Sequence, residues 1–404
     1  MKQLVGSIQP YAWGSTTAIP QILGVEPTGE PQAELWLGAH PLAPARIDGR
    51  GLDAAIDADP VGLVGSDPVQ RFGPRLPYLM KLLAAAQPLS LQAHPNRRQA
   101  EEGFAREEAA GIPRDAANRT YRDDWPKPEA LCALGEFHAL CGFREPSATY
   151  QLFDQLGAPT ALDLVAPLRS GGAAELEAVF GTLLRLPDAG PLVAAVVAAA
   201  ADKTGLPDPL GSFARTAVEV AEANPGDPGV LAALIMNRVV LDTYDAIYLP
   251  AGNLHAYLRG TGVEIMANSD NVLRGGLTGK HVDVDELLAL LDFTPGWAGP
   301  VPVTEEAAGV HRYRTEAPEF ALWRLQPDGG QSGGGARPEV PAGGVGRVLL
   351  VTEGELELDD GSAEPLVLGQ GRSAFLEPAD SVRLTGAGVA FLGAAGAAAA
   401  DDTL

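Results

Sequence analysis

Between about residues 148 and 238 the spacing of apolar residues changes period, and that change divides the chain into regions that must fold differently. Leu152, Phe153 and Leu156, then Leu176, Val179, Phe180, Leu183 and Leu184, recur at steps of three and four, which sets them on one face of a helix. The alanine-rich stretch from Leu192 and the set Phe213, Ala217, Val218 and Val220 extend the pattern to about Arg238, with prolines and glycines as stops. On both sides the pattern is that of strands. Residues 1–147 carry the short apolar runs Leu35–Leu37, Tyr78–Leu83, Leu89–Leu91 and Ala130–Leu134 among turn formers, a mixture of strand and short helix. Ala246–Leu249 runs into the turn Pro250–Asn253, Val263–Met266 follows, and Asp283–Leu291 predicts one short helix. Farther on, Val348–Thr352, Glu355–Leu358, Leu366–Leu368, Ser373–Glu377, Ser381–Leu384 and Val389–Leu392 are separated by turn residues. Short, evenly spaced strands predict a sandwich or jelly roll. The expected fold class is mainly β with a helical insertion. A Gly-rich loop, Gly329–Gly346, is expected to be mobile, and GAAGAAAADDTL at the end to fray.

The chain of 404 residues is 46% apolar, enough for buried cores in two or more domains. Its net charge of −23 repels phosphate backbones and anionic lipid, so neither nucleic acid nor membrane is an expected partner. The beginning, MKQLVGSIQPYAWG, has no basic stretch followed by an apolar one, and the longest apolar run, Pro191–Ala201, is too short to span a bilayer. A soluble cytoplasmic protein is expected. Cys132 and Cys141 are the only cysteines, which fits a reducing compartment and no disulfide framework.

Three stretches carry residues able to do chemistry. In Leu89–Pro95, alternation sets Ser90, Gln92 and His94 on one strand face and Leu91 and Ala93 on the other. A polar row of this kind is either solvent-exposed or the floor of a site, because burying it without partners is costly. In Trp125–Glu129 two prolines stiffen an extended backbone that holds Lys127 and Glu129 on one side; read alone, the pair is a surface ion pair of little energetic weight. In Tyr248–Tyr257 a strand and a tight turn lead to His255, which opens the next strand, although a lone histidine there is more often structural. Downstream, Glu264 lies among strand residues, and Arg274 follows the polar turn Asn268–Asn271, placed to reach an anion. Together these residues describe a metal site beside an anion site. Nitrogen and oxygen ligands without cysteine suit zinc in an open catalytic site, although manganese, iron or cobalt fit the same set. His40, His138, His281 and His311 show no such grouping.

LSLQAHP, KPE, YLPAGNLHAYL and GVEIMANSDNVLRGGLTGKHVD, in that order, resemble the type I mannose-6-phosphate isomerases, and YAWGS, AELWLGAHP and ALCGFR are similar to the same family. The likeness covers residues 1 to about 300. It implies cupin-type jelly-roll architecture: a catalytic β domain from 1–147 and 239–300, an α-helical insertion at 148–238, and a C-terminal cupin-like β domain at 301–404. It also implies one zinc ion per chain, held by Gln92, His94, Glu129 and His255. Lys127, Glu264, Asp270 and Arg274 are then the catalytic group, and Ser90, Lys280 and Arg274 bind the substrate. Two positions depart from the family pattern. Trp125-Pro126 stands where the family has Asn-His, so any acid–base role of that histidine is absent or supplied elsewhere, and Gly279 replaces a proline, which loosens the loop carrying Lys280.

The activity implied is interconversion of mannose 6-phosphate and fructose 6-phosphate through an enediol, in carbohydrate metabolism and on the route to guanosine-diphosphate-mannose. Such chemistry needs a base near carbon and an electrophile near the oxygens; Glu264 and Lys127 are the proton-carrying candidates. A monomer acting on a small sugar phosphate is expected. Two other readings use the same ligands: a cupin metal oxygenase, and a non-catalytic metal-bound cupin that binds a sugar. Neither accounts for Arg274 and Lys280 beside the ligand set.

Overall fold

The computed structural model describes residues 1–327, 338–362 and 364–397. The chain builds two ten-stranded sheets and a helical layer. The first sheet runs Met236–Leu241, Phe137–Phe143, His255–Ala267, Tyr78–Ala85, Glu34–Gly38 and Ser7–Gln9, with Glu129–Ala133 and Ala246–Leu249 branching from it. Its organising element is the thirteen-residue strand His255–Ala267. The early part of that strand pairs with Phe137–Phe143, and the later part with both Tyr78–Ala85 and Glu129–Ala133. Gly260 lies where the partners change: its φ is 130°, and a Cβ there would stand 2.6 Å from the Phe137 ring. Only glycine allows the strand to switch partners at that point.

Alternation assigns each face. In Tyr78–Ala85 the side chains of Tyr78, Met80, Leu82 and Ala84 enter the core between the two sheets, against Val348, Leu350, Phe375 and Phe391. Leu79, Lys81 and Leu83 face the other way, into a cleft. The second sheet is formed mainly by residues 303–394, but Lys2–Val5 pairs with Ser373–Leu376 inside it, and Arg46–Ile47 pairs with Lys2–Val5 in turn. The amino-terminal strand therefore joins the start of the chain to the C-terminal sheet.

Helices fill residues 146–233, from Pro146–Leu156 to Gly229–Ala233, as the period of three and four predicts. Their apolar faces, including Phe153, Phe180 and Phe213, share a core with Leu91, Ala93, Leu254 and Leu273 on the reverse side of the site-bearing segments. The helix expected at 283–291 spans Val284–Leu290, capped by the Asp283 carboxylate, which accepts from the Glu286 amide. Among the described residues no helix is long and apolar enough to cross a membrane.

Three local expectations change. The runs at 348–352 and 355–358 form one strand, Arg347–Asp359, and those at 381–384 and 389–392 form another, Arg383–Ala394. The intervening glycines do not make turns. Gly354 and Gly386, with φ of 69° and 112°, lie at close backbone contacts between the two strands, and the ladder passes through an irregularity between Val351 and Glu353. Of the loop expected to be mobile, residues 329–337 lie outside the described residues; beyond them, buried Val340 donates its amide to the Val382 carbonyl at 2.8 Å. Of the expected loose tail, Gly393 and Ala394 complete the last strand, where Gly393 packs under Ile265 and Tyr78, and 398–404 lie outside the described residues.

Candidate active site

The cleft on the open face of the first sheet has a volume of about 380 Å³, and Ser90, Gln92, Lys127, Glu129, Glu264, Asp270, Arg274 and Lys280 all line it. His94 and His255 stand beside Glu129, which lines it. Every site residue expected from the sequence is thus in one place. Only Gln92–Ala93 is hydrogen-bonded as strand in the LSLQAHP stretch, paired on one side with His255 and on the other with Arg274. The expected alternation nevertheless decides direction. Leu91 and Ala93 go down into the helical core, and Ser90 and Gln92 turn up into the cleft.

His94, Glu129 and His255 are buried, with their candidate ligand atoms all within 4.8 Å of one another. His94 Nε2 lies 3.3 Å from Glu129 Oε1, and His255 Nε2 lies 3.3 Å from Glu129 Oε2. Alignment is poor at both contacts: His94 Nε2, His255 Nε2 and Glu129 Oε2 are buried atoms with no hydrogen-bond partner. Three orphaned acceptors around one point fit a cation. Tetrahedral ligands about 2.1 Å from zinc stand about 3.4 Å from one another, so the 3.3 Å histidine–glutamate contacts are near what a shared ion needs. Each ring is also held from behind. His94 Nδ1 faces the Asn271 carbonyl at 2.8 Å, and His255 Nδ1 faces the Asn253 carbonyl at 3.2 Å, so the Nδ1–H donates backward and Nε2 is left as acceptor. Burial pushes the His94 ring down to about 4, keeping it neutral, the form that ligates metal. Burial works to raise Glu129, but His94 and Lys127 beside it hold its carboxyl well below the usual range.

The KPE stretch is not on the surface. Lys127 and Glu129 are both buried, with Lys127 Nζ 3.1 Å from Glu129 Oε1, which places the lysine next to the metal ligands. Trp125, at the departure from the family pattern, turns out of the cleft and packs between the Arg75 and Arg97 guanidinium groups at 4.8 and 4.3 Å. The imidazole that faces Asp270 is that of His40, Nε2 to Oδ1 3.4 Å, with His40 Nδ1 accepting from the Leu42 amide. His40 lies in the AELWLGAHP stretch, but nothing in the sequence assigns it a role.

Two further groups escaped the sequence reading. Lys81 is a lysine within an otherwise apolar, fully buried strand, and that incongruity was the available signal. Register places Trp36, Lys81, Glu264 and Leu131 side by side across four strands, with Lys81 Nζ 3.1 Å from Glu264 and 3.6 Å from Glu34. Burial raises the Glu264 carboxyl, with Lys81 opposing, while Tyr257 donates its hydroxyl to Glu264 at 2.8 Å. Arg122 is the second. It enters the cleft near Arg274 and Lys280, and burial followed by the charge of Arg122 lowers Arg274. Burial, Arg274 and Arg122 lower Lys280 in the same way, with no carboxylate acting on either group. Arg122 also acts on the Asp270 carboxylate, whereas Arg274 and Lys280, lining the cleft of a chain of net charge −23 with no ion-pair partner among the described residues, are suited to seat an anion.

The sequence profile of the phosphomannose isomerase type I catalytic domain matches residues 1–146. The mannose-6-phosphate isomerase of Salmonella typhimurium is 40% identical over 333 residues, covering 77% of this chain and 83% of the relative. The chain belongs to the type I phosphomannose isomerase family. Other members include the Escherichia coli enzyme, 41% identical over 72% of this chain and 75% of the relative, and the human enzyme, 28% identical over 94% and 93%. The likeness extends through the C-terminal sheet. A crystal structure of a mannose 6-phosphate isomerase bound with zinc and yttrium superposes with a TM-score of 0.87 at 35% identity, over 98% of this chain and all of that one. A zinc-bound holo form gives 0.86 at the same identity, over 98% and 99%. The fold is thus the family's cupin type, mainly β with a helical insertion.

Proposed function

We infer that this chain is a zinc-dependent aldose–ketose isomerase that interconverts mannose 6-phosphate and fructose 6-phosphate through an enediol. The carrying observation is the pairing, in one cleft, of three orphaned metal-ligand atoms with Arg274 and Lys280, two cations that have no ion-pair partner among the described residues. An oxygenase, or a passive metal-bound cupin that binds an unphosphorylated sugar, does not need the second half of that pair.

Gln92, His94, Glu129 and His255 would hold the ion, one per chain, and the bound metal supplies a Lewis acid for the substrate oxygens. Lys280, with Ser90 at the cleft wall and Arg122 beside it, binds the phosphate, and Arg274, a fixed guanidinium, can also follow charge that develops on the substrate. Glu264, its carboxyl raised by burial, suits the removal of a carbon-bound proton, and Lys127 Nζ is the donor nearest the ligand set. Asp270, whose carboxylate faces His40 Nε2 at 3.4 Å, lines the same cleft as a further catalytic group. Residues 1–147 and 239–300 thereby form the catalytic domain, which the helical insertion at 148–238 and the β domain at 301–404 support. We read the protein as a monomer, and its two free, buried cysteines suit a reducing, cytoplasmic setting.

A coupled assay reporting fructose 6-phosphate from mannose 6-phosphate tests the reading. Zinc-loaded protein should turn over and chelated protein should not. Metal-dependent oxygen consumption would favour the oxygenase, and sugar-phosphate binding without turnover the passive cupin.

A further inference from the structure

Asn271 is fully buried, and its side chain is fully engaged by a segment distant in sequence. Its Oδ1 accepts from the amides of Arg122 at 2.8 Å and Asp123 at 3.2 Å. Its Nδ2 donates to the carbonyls of Asp123 at 2.8 Å and Trp125 at 2.9 Å, with Asp123 Oδ1 at 3.2 Å. Amides facing the oxygen and carbonyls facing the nitrogen leave one sensible orientation for the group. The backbone carbonyl of the same residue receives His94 Nδ1 at 2.8 Å. One residue therefore touches two halves of the cleft. Through its side chain it fixes the segment that delivers Arg122 to the cation cluster and then leads to Lys127 and Glu129. Through its carbonyl it fixes the ring of a metal-ligating histidine.

We propose that Asn271 is a positioning residue that couples the metal half of the cleft to its anion half. The proposal rests on the function inferred above. The neighbouring bonds reinforce the joint: Asp123 accepts from Ser269 Oγ at 2.7 Å and from the Asp270 amide at 2.8 Å, so the turn 269–271 is tied to 122–125 at several points. Asn271 supplies the only part of this joint that also reaches His94. Removing the side chain unpins both the 122–125 segment and the turn bearing the carbonyl. The His94 ring and the Arg122 side chain should then lose their places together.

The test uses full-length Asn271→Ala and Asn271→Asp, the second keeping the shape and the acceptor but replacing the donor by an oxygen that faces two carbonyls. Zinc affinity is read by competition with a chromogenic chelator, and affinity of the zinc-loaded protein for inorganic phosphate by calorimetry. Disturbing the outer partner of a ligating histidine typically weakens metal binding about 10- to 100-fold. Asn271→Ala is expected at about tenfold for zinc, with phosphate affinity falling about tenfold as well, in a variant that retains its circular dichroism. A folded variant with a lower melting temperature but unchanged affinities would overturn the proposal, as would loss of one affinity alone. Failure of both variants to fold would also overturn it, because Asn271 would then be a structural brace. Wild-type protein that binds neither zinc nor phosphate would refute the inferred function instead, which keeps the two outcomes apart.

Discussion

Replacing Lys81 with methionine removes the only cation from a buried row and leaves two carboxylates facing the space it occupied. In the native protein the side chains of Lys81, Glu34 and Glu264 are 9%, 8% and 3% exposed, and the ammonium reaches both carboxylates, at 3.6 and 3.1 Å. Breaking a buried pair by removing one partner costs about 3–5 kcal/mol, because the remaining charge is uncompensated. Here each carboxylate keeps one neutral donor, Tyr257 Oη to Glu264 at 2.8 Å and Trp36 Nε1 to Glu34 at 2.5 Å, which favours the lower end, about 3 kcal/mol near pH 8. The pH dependence has a definite sign. Glu264 is already raised by burial, and losing Lys81 raises it further, so the folded variant holds a proton that the unfolded chain releases near 4.5. The deficit is therefore small below about pH 4.5 and grows as pH increases toward the raised folded value. Urea unfolding of wild type and Lys81→Met at pH 5 and pH 8 measures both quantities, and Glu34→Gln in the variant background should restore part of the loss by removing one of the two charges. The acid limb of the activity profile should move to higher pH as well, since Glu264 must be unprotonated to act as a base. A variant within about 1 kcal/mol of wild type at pH 8, or a deficit that does not shrink on acidification, would refute the reasoning.

One metal ion per chain is expected by elemental analysis, and His255→Ala should lose both metal and turnover, whereas chelation should stop turnover without unfolding the β cores; a fully active or metal-replete His255→Ala removes that residue from the ligand set. In metal-free protein the His94 ring, held down to about 4 by burial against an ordinary value of 6.5, makes stability fall as pH drops between those limits, by about 3 kcal/mol. Comparison of wild type with His94→Gln across pH 7 to 4 isolates this contribution, and parallel curves would count against it. Arg274→Ala should lower kcat and kcat/KM together by about 10² to 10³, while exposed Lys280 should, on replacement by alanine, raise KM with little change in kcat, more so at low ionic strength. An exchange of the two patterns would reverse the assigned roles.

Much of the architecture follows from local periodicity. Steps of three and four fix helices within 146–233, and period two fixes which residues of a strand share a face. That is why Ser90 and Gln92 could be assigned to one side and Leu91 and Ala93 to the other, with only two of these residues in the ladder. The ligand set and the cations named from motifs also meet in one cleft, because each motif carries its own turn or strand. Periodicity does not say which strands become neighbours. Lys81 comes beside Glu264, His40 beside Asp270, and Arg122 beside Arg274 only through pairing and packing between distant segments. The same limit applies to the KPE pair, which by sequence reads as exposed and is buried because other segments cover it. It applies to the glycines near 354 and 386 too, since a glycine marks a turn or a bulge according to whether a partner strand lies against it. Sequence thus set the local elements and the chemical groups on each face, because those depend on neighbours along the chain. Tertiary structure alone decided which charges are compensated, which imidazole faces Asp270, and which carbonyl faces the His94 ring, because burial and electrostatics depend on neighbours in space.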